Sequence, residues 1–194
     1  MIVITSPSSV VNEHQIIQQL FEEGLVVLHI RKPTSTAIEL KAFISKIDSK
    51  YHSRLVLHQH HILAMEFNIK RLHFTEKARI NIPEYCQKRE MILSTSVHSI
   101  EDFNNLSDLF DYAFLSPVYP SLSKENYMPI KNLFEIIKNR KNTQIKLIAL
   151  GGISAENIQN TLLHFDAVAL LGTIWKSTNP LENFKKCQTN VLSL

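Results

Sequence analysis

The chain has 194 residues, of which 44% are hydrophobic and 20% are charged, as in ordinary globular domains. This length is typical of one domain with a substantial core, so we expect residues 1–194 to form a single domain. The net charge of +3 is not concentrated in a Lys/Arg block, so no nucleic-acid partner is expected.

The chain start and the cysteines predict the cellular compartment. No apolar stretch approaches the roughly 18 residues of a membrane span, and Met1–Ser6 lacks the basic region of a signal peptide. Cys86 and Cys187 lie far apart in segments predicted to be helical, without disulfide or metal-site spacing. We therefore expect a cytoplasmic protein that does not contact membranes.

Short apolar runs alternate with amphipathic segments, which predicts repeated βα units and a parallel sheet. The predicted strands are residues 1–6, 25–30, 54–59, 71–74, 91–96, 111–115, 145–150 and 166–171. Eight such units favour the α/β class and a (β/α)8 TIM barrel. Because 194 residues is near the lower limit for that fold, a doubly wound open sheet is the alternative.

Amphipathic periodicity predicts the helices between the strands. They are residues 13–23, 37–47, 100–109, 155–164 and a final helix from Pro180, with weaker patterns at 61–67 and 83–88. The predicted caps are Thr36 with Glu39, Ser99, Ser154, and Asn179 with Glu182, and Gly24 is a predicted C-terminal stop.

Three of the four glycines follow the last two predicted strands: Gly151 and Gly152 after the seventh, Gly172 after the eighth. Backbone without a side chain lets an anion approach main-chain N–H groups, and a helix N-terminus after each strand would add donors. In a (β/α)8 barrel the phosphate site typically follows strands seven and eight. These glycines and the Leu171 backbone are therefore predicted to bind phosphate.

Polar residues at the other strand ends are the second set of candidates. His29 and Arg31 share one face at the end of strand two, and Arg31 is predicted to meet an anion or to form a structural ion pair. His58 and His60 share a face after strand three and could bind a metal, although no carboxylate or cysteine completes the set. Together with His29 and His58, His73 and His98 would place imidazoles around one rim.

The longest predicted loop, residues 116–129, carries three prolines. Ser121, Ser123 and Lys124 could hold a second anion through two hydroxyls and a positive charge. The alternative is an ordinary Ser/Pro-rich surface turn.

Several segments, in this order, resemble the thiamine phosphate synthase/TenI family over nearly the whole chain. They are Leu28-His-Ile-Arg31, Ser96-Val-His98-Ser99, the stretch from Asp111 to Lys124, Ala149-Leu-Gly-Gly-Ile153 with Asn157, and Val168-Ala-Leu-Leu-Gly172. The resemblance implies a (β/α)8 barrel that joins hydroxymethylpyrimidine diphosphate to thiazole phosphate and releases pyrophosphate with magnesium.

The resemblance also implies residue roles. Arg31, Ser96, Ser121, Ser123 and Lys124 sit where the family binds pyrimidine and pyrophosphate, and Gly152 with the Leu171–Gly172 backbone sits where it binds thiazole phosphate. The family's magnesium-binding aspartates are replaced by Gln59 and Ala78, with Glu76 nearby, so Mg is implied but its ligands are missing. Pro33 replaces the family's lysine after strand two.

The leading hypothesis is a divergent synthase acting on small phosphorylated substrates. Its candidate catalytic residues are Arg31, Lys124, His29 and His98. One alternative is a TenI-type tautomerase, whose catalytic histidine aligns with Pro117 here, so that His29, His58 or His98 would replace it. The other is a non-catalytic paralogue that binds thiazole or thiamine phosphate.

Overall fold

Eight parallel strands form a closed barrel in the computed structural model, each pairing with its neighbours in chain order and β8 pairing with β1. The structure describes residues 1–86, 90–120 and 129–193. The strands are β1 Ile2–Ile4, β2 Val27–Ile30, β3 Leu55–Leu57, β4 Arg71–Phe74, β5 Ile92–Val97, β6 Tyr112–Leu115, β7 Lys146–Leu150 and β8 Ala167–Leu170. The predicted TIM barrel is confirmed, and the open-sheet alternative is wrong.

The strands separate two apolar layers, because successive side chains of a strand point to opposite faces of the sheet. The outer layer packs the strands against the helices; from α1, for example, Ile17 and Leu20 are almost fully buried in it. The inner layer fills the barrel with Ile2, Ile4, Val27, Val56, Tyr112, Phe114, Ile148 and Ala169. Strands of this kind are mostly apolar, which explains why their positions could be predicted; β5, with Ser94, Thr95 and Ser96, is the most polar of them.

The helices that surround the barrel are short. They are α1 Glu13–Glu22, α2 Ala37–Ile44, α3 Leu63–Glu66, α4 Ile100–Asn104, α5 Leu133–Ile136, α6 Ile158–Leu162, α7 Gly172–Trp175 and α8 Pro180–Leu192. Short 3₁₀ helices occur at Ser49–Arg54, Ala78–Asn81, Glu84–Cys86 and Ile137–Asn139. Short helices and turns let a complete barrel fit into this chain length.

Most predicted caps are confirmed. Thr36 and Glu39 form a reciprocal capping box, and the side chains of Ser99 and Asn179 accept hydrogen bonds from the backbone three residues later. Gly24 follows α1 with φ +91°, the left-handed conformation that ends a helix.

Several predicted helices are shorter than expected. Helix α2 ends at Ile44 rather than 47, and α3 covers Leu63–Glu66 rather than 61–67. Helix α4 ends at Asn104 rather than 109, because the Ser107 hydroxyl accepts from the Leu109 amide and forms a local turn. Helix α6 begins at Ile158 rather than 155, so Ser154 is not its cap. Of the predicted helix at 83–88, the described part is a 3₁₀ turn, and residues 87 and 88 lie outside the described residues.

Both cysteines are buried and free. Among the described residues, no helix is long and apolar enough to span a bilayer.

Candidate functional site

A cavity of about 520 Å³ opens at the carboxyl ends of the strands, where active sites of this barrel type are found. Every strand or the loop after it contributes to its wall. The lining residues are Ile4, Arg31, His58, His73, Thr75, Glu76, Lys77, Ser96, His98, Phe114, Ser116, Leu150–Ile153, Ala169 and Leu171–Thr173. The carboxyl face therefore has one enclosed volume in which residues distant in sequence can meet the same ligand.

The glycines predicted to bind phosphate all line this cavity. Gly151 and Gly152 have φ values of +101° and +65°, and Gly172 is the first residue of α7. The expected helix N-terminus directly after Gly152 is not there, because α6 begins only at Ile158. The structure thus brings the glycine backbones together but places a helix start beside only one of them.

Packing against the loop after β6 also requires glycine at positions 151 and 152. The amides of Val118 and Tyr119 donate to the carbonyls of Leu150 and Gly151, which lays the loop along this backbone. A Cβ on Gly152 would lie 2.5 Å from the Pro120 carbonyl oxygen. These glycines therefore permit a close backbone approach as well as lining the cavity.

Two side chains hold the glycine segments in place. The Asn157 amide donates to the Gly152 carbonyl at 2.9 Å and accepts from the Ser154 amide at 3.0 Å. The Thr173 hydroxyl donates to the Ile153 carbonyl, which joins the loop after β7 to the start of α7. Asn157 thereby keeps residues 152–157 in a turn, which is the reason that α6 begins late.

Arg31 and Lys32 follow β2 and have different environments. The Arg31 backbone exchanges hydrogen bonds with the Thr5 hydroxyl, and its half-buried side chain lines the cavity. No described carboxylate forms an ion pair with Arg31. Lys32 turns away and is buried with Glu13, at 2.7 Å from both carboxylate oxygens. The structural ion pair considered for Arg31 is thus made by Lys32, and the Arg31 guanidinium stays available to an anion.

Three histidines form a hydrogen-bonded cluster in the upper barrel. His29 Nδ1 lies 2.9 Å from His58 Nε2, and His29 Nε2 lies 2.8 Å from the Tyr112 hydroxyl. His73 bonds through Nδ1 to Ser94 Oγ at 3.0 Å and through Nε2 to the Ser96 hydroxyl at 3.1 Å. The rings of His58 and His73 stack at 4.1 Å.

Burial keeps this cluster uncharged. It lowers the pKa of His29 and of His58 well below the ordinary value, and it lowers the pKa of His73 to about 3. The neighbouring imidazoles lower these pKa values further, because one positive ring opposes a second. All three rings are therefore neutral at physiological pH.

The expected ring of histidines around the rim is wrong in part. His29 is completely buried and lies beneath the cavity, while His58 and His73 line it. His60 is exposed, and its Nε2 bonds to the Ser35 carbonyl at 2.8 Å, so it does not join His58. His98 is exposed at the cavity, where its Nδ1 donates to the Ser116 carbonyl at 2.8 Å and leaves Nε2 with a lone pair.

Gln59 and Ala78, which the resemblance places at magnesium positions, do not form a site for that ion in the structure. The Gln59 amide donates to the Lys32 carbonyl, and Gln59 does not line the cavity. Ala78 has no ligand atom in its side chain and begins a 3₁₀ turn. Of the described residues lining the cavity, only Glu76 carries a carboxylate. Mg²⁺ prefers several oxygens, usually including carboxylates, so these residues do not fit it.

The second anion site was predicted at the loop after β6. Ser121, Ser123 and Lys124 lie outside the described residues. Ser96 lines the cavity as predicted. Sequence reasoning missed Tyr112 and Ser94, which are the hydrogen-bond partners of His29 and His73. The sequence did contain one signal for Ser94: it alternates with Ser96 along β5, so both side chains face the barrel interior.

The family model described as thiamine monophosphate synthase matches residues 1–174. The chain belongs to this family. The thiamine-phosphate synthase of Dictyoglomus turgidum is 25% identical over 177 residues, which cover 88% of this chain and 79% of that protein. That of Clostridium tetani is 25% identical over 167 residues, covering 82% and 79% respectively.

Solved structures agree with the thiamine monophosphate synthase family assignment. Thiamine phosphate pyrophosphorylase from Bacteroides thetaiotaomicron has 30% sequence identity and a TM-score of 0.79, with 98% of this chain and 96% of that chain covered. The 3-hexulose-6-phosphate synthase of Salmonella typhimurium has 13% identity and a TM-score of 0.68, covering 99% and 98%, and shares the fold alone.

Proposed function

We propose that this chain is a transferase that joins hydroxymethylpyrimidine diphosphate to thiazole phosphate and releases pyrophosphate. The observation that carries the proposal is the single cavity in which glycine backbone and an arginine without an ion-pair partner among the described residues are combined. The reaction brings together two phosphorylated molecules, and the cavity has two kinds of anion-binding group. Family membership supports the same reaction.

In this proposal the thiazole phosphate lies against the backbone of Gly151, Gly152 and the Leu171–Gly172 peptide. All four residues line the cavity. Main-chain N–H groups without a neighbouring side chain can donate to phosphate oxygens at close range. Because Asn157 and Thr173 already hold these loops, the site needs little rearrangement when the phosphate binds.

The diphosphate lies at Arg31 and Ser96, with Ser121, Ser123 and Lys124 from the loop after β6. As the carbon–oxygen bond to the diphosphate breaks, negative charge grows on the departing oxygens. A fixed guanidinium and an ammonium stabilise that charge more in the transition state than in the substrate. Arg31 and Lys124 are therefore the proposed catalytic residues, and Ser121 and Ser123 orient the leaving group.

No step of this proposal passes through a magnesium ion, because the described residues do not fit one. The cavity has other positive groups, since Lys77 also lines it. His29 does not reach the cavity, so any part that it takes in the reaction is a positioning role through His58.

The direct test incubates the purified protein with both substrates and measures pyrophosphate and thiamine phosphate, with Mg²⁺ and with EDTA. Turnover by the native chain supports the proposal. Gln59→Asp restores a carboxylate at this position. Gln59→Asn is its control, because it shortens the side chain equally and disturbs the hydrogen bond to the Lys32 carbonyl without adding a charge. A native chain that forms no product in either condition contradicts the proposal, and product from Gln59→Asp alone would indicate a synthase that has lost its activity.

A second candidate function is a TenI-type proton transfer, and one observation favours it. His98 lines the cavity and its Nδ1 donates to the Ser116 carbonyl, so Nε2 is the ring nitrogen that can exchange a proton with a ligand. A thiazole tautomerase assay with His98→Gln tests this function without a diphosphate substrate. Binding of thiazole phosphate without turnover in either assay would favour the non-catalytic paralogue.

A further inference from the structure

The histidine cluster beneath the cavity has a geometry that a hydrogen-bond network does not by itself require. One ring nitrogen from each of His29, His58 and His73 lies within 4.8 Å of the other two. We propose that these three side chains bind one divalent transition-metal ion of the Zn²⁺ class at the cavity floor. The three ligands of this site are not among the residues proposed to bind phosphate or diphosphate, although Ser96, proposed at the diphosphate, bonds to His73 Nε2.

The donor set selects the class of metal. Three imidazole nitrogens suit Zn²⁺, Co²⁺, Ni²⁺ or Cu²⁺, whereas Mg²⁺ and Ca²⁺ require oxygen ligands. The described residues place no carboxylate in this cluster. The cluster therefore differs in position and in chemistry from the magnesium site of the family.

The hydrogen bonds around the cluster determine which nitrogens can coordinate. The Ser94 hydroxyl donates to the Leu72 carbonyl, so it accepts from His73 Nδ1–H, which leaves the lone pair on His73 Nε2. When the Tyr112 hydroxyl accepts the proton of His29 Nε2, the lone pair of His29 is on Nδ1. Metal-binding histidines usually have such a partner on the second nitrogen.

Binding the metal requires the Ser96 hydroxyl to release His73 Nε2, and it requires the three ring nitrogens, now within 4.8 Å of one another, to converge on one ion. Two nitrogens at normal distances from a tetrahedral zinc lie roughly 3.3 Å apart. His29 Nδ1 and His58 Nε2 are 2.9 Å apart, so this pair opens slightly as the rings rotate. The proton that the pair shares moves to His58 Nδ1 as the metal takes its place. His58 and His73 line the cavity, which provides an entry path and leaves a fourth position facing the ligand space.

The experiment measures metal binding directly on the untagged full-length protein. The protein is first treated with a chelator, then equilibrated with Zn²⁺ in excess Mg²⁺, dialysed, and its zinc content measured. We expect one equivalent of zinc. Replacing Zn²⁺ by Co²⁺ adds a visible absorption band whose intensity reports tetrahedral coordination.

Variants locate the site. His58→Ala and His73→Ala are expected to lose the equivalent of zinc and the Co²⁺ band. His60→Asn is the matched control, because His60 faces outward two residues after His58 and its φ of +52° suits asparagine. Tyr112→Phe keeps all three ligands and should weaken zinc binding roughly tenfold. This variant replaces the alanine variants in the test if circular dichroism shows that they do not fold.

Three outcomes would overturn the proposal. One is a wild-type protein that retains no zinc after equilibration. Another is zinc retained equally by a folded His58→Ala or His73→Ala protein, and the third is zinc lost by His60→Asn. None of these outcomes depends on thiamine phosphate formation, so a failure here is distinct from a failure of the transferase assay.

Discussion

The Thr173 hydroxyl donates a hydrogen bond to the Ile153 carbonyl oxygen, and this contact connects the loop after β7 to the first turn of α7. Gly152 directly precedes Ile153 in the chain, and Gly172 directly precedes Thr173. In the same turn, the indole of Trp175 donates to the Ile4 carbonyl at 2.6 Å, which connects α7 to β1. The arrangement of the two glycine segments is therefore maintained by side-chain hydrogen bonds between neighbouring loops.

Gly152→Ala is expected to weaken phosphate binding and to lower stability. Gly152 has φ +65°, and the new Cβ would lie 2.5 Å from a backbone oxygen of Pro120, so the loop after β6 must move. We expect the free energy of unfolding to fall by roughly 1–3 kcal/mol. Urea unfolding measures the stability, and calorimetry with inorganic phosphate measures the binding.

Gly24→Ala is the matched control for Gly152→Ala. Its φ of +91° is equally unfavourable for alanine, but its nearest neighbour is the flexible end of Gln188 at 3.3 Å. Gly24 does not line the cavity. This variant should lose stability and keep its affinity for phosphate; equal phosphate affinity in both variants would contradict the proposed site.

Asn157→Asp tests whether the turn after β7 maintains the phosphate site. One aspartate oxygen can still accept from the Ser154 amide, but the other would face the Gly152 carbonyl, to which Asn157 now donates at 2.9 Å. Two acceptors in contact repel, so we expect roughly 1–3 kcal/mol of destabilisation and weaker phosphate binding. Asn160→Asp, within α6, controls for the added charge. Unchanged phosphate affinity in Asn157→Asp would show that the turn does not maintain the site.

Arg31→Gln is expected to reduce the affinity for inorganic pyrophosphate at least roughly tenfold, because hydrogen bonds from a charged donor are the strong ones. Arg31→Lys should keep more of the pyrophosphate affinity than Arg31→Gln but less than the native protein, since an ammonium lacks the bidentate geometry of a guanidinium. Calorimetric titration measures both. Arg54→Gln is the control, because Arg54 bonds to the Leu25 carbonyl away from the cavity. Equal losses for positions 31 and 54 would indicate a general charge effect.

The sequence predicted all eight strands, because most strands of a barrel that are buried on both faces form short apolar runs, although β5 includes Ser94, Thr95 and Ser96. Helix boundaries were predicted less well where side chains form local turns, as Ser107 does after α4 and Asn157 does before α6. Such turns depend on side-chain direction, which periodicity does not contain. The same limit applies to the predicted cap at Ser154.

The candidate site was predicted in part. Arg31, Ser96, His98 and the three glycines line one cavity, because strand ends in a barrel must converge. The sequence placed His29 at the rim, whereas the structure places it beneath the cavity floor. Alternation along β2 indicated that His29 and Arg31 share a face of the strand. It did not indicate that His29 lies one layer deeper in the barrel, below the cavity that Arg31 lines.

Lys32→Met tests the buried ion pair that follows Arg31. Lys32 and Glu13 are each about 6% exposed, and Lys32 Nζ lies 2.7 Å from both carboxylate oxygens. Removing the lysine leaves a buried carboxylate without its partner. We expect the free energy of unfolding to fall by about 3–5 kcal/mol, as measured by urea unfolding.

The double variant Lys32→Met/Glu13→Leu separates the cost of an unpaired charge from the value of the pair. Replacing both groups by apolar side chains of similar size should recover most of the stability, because neither desolvation cost remains. Lys186→Met is the exposed comparison: its partner Glu182 lies at the similar distance of 2.8 Å, but solvent screens both groups, so little change is expected. If Lys32→Met and Lys186→Met lose equal stability, burial is not what makes the Lys32–Glu13 pair important.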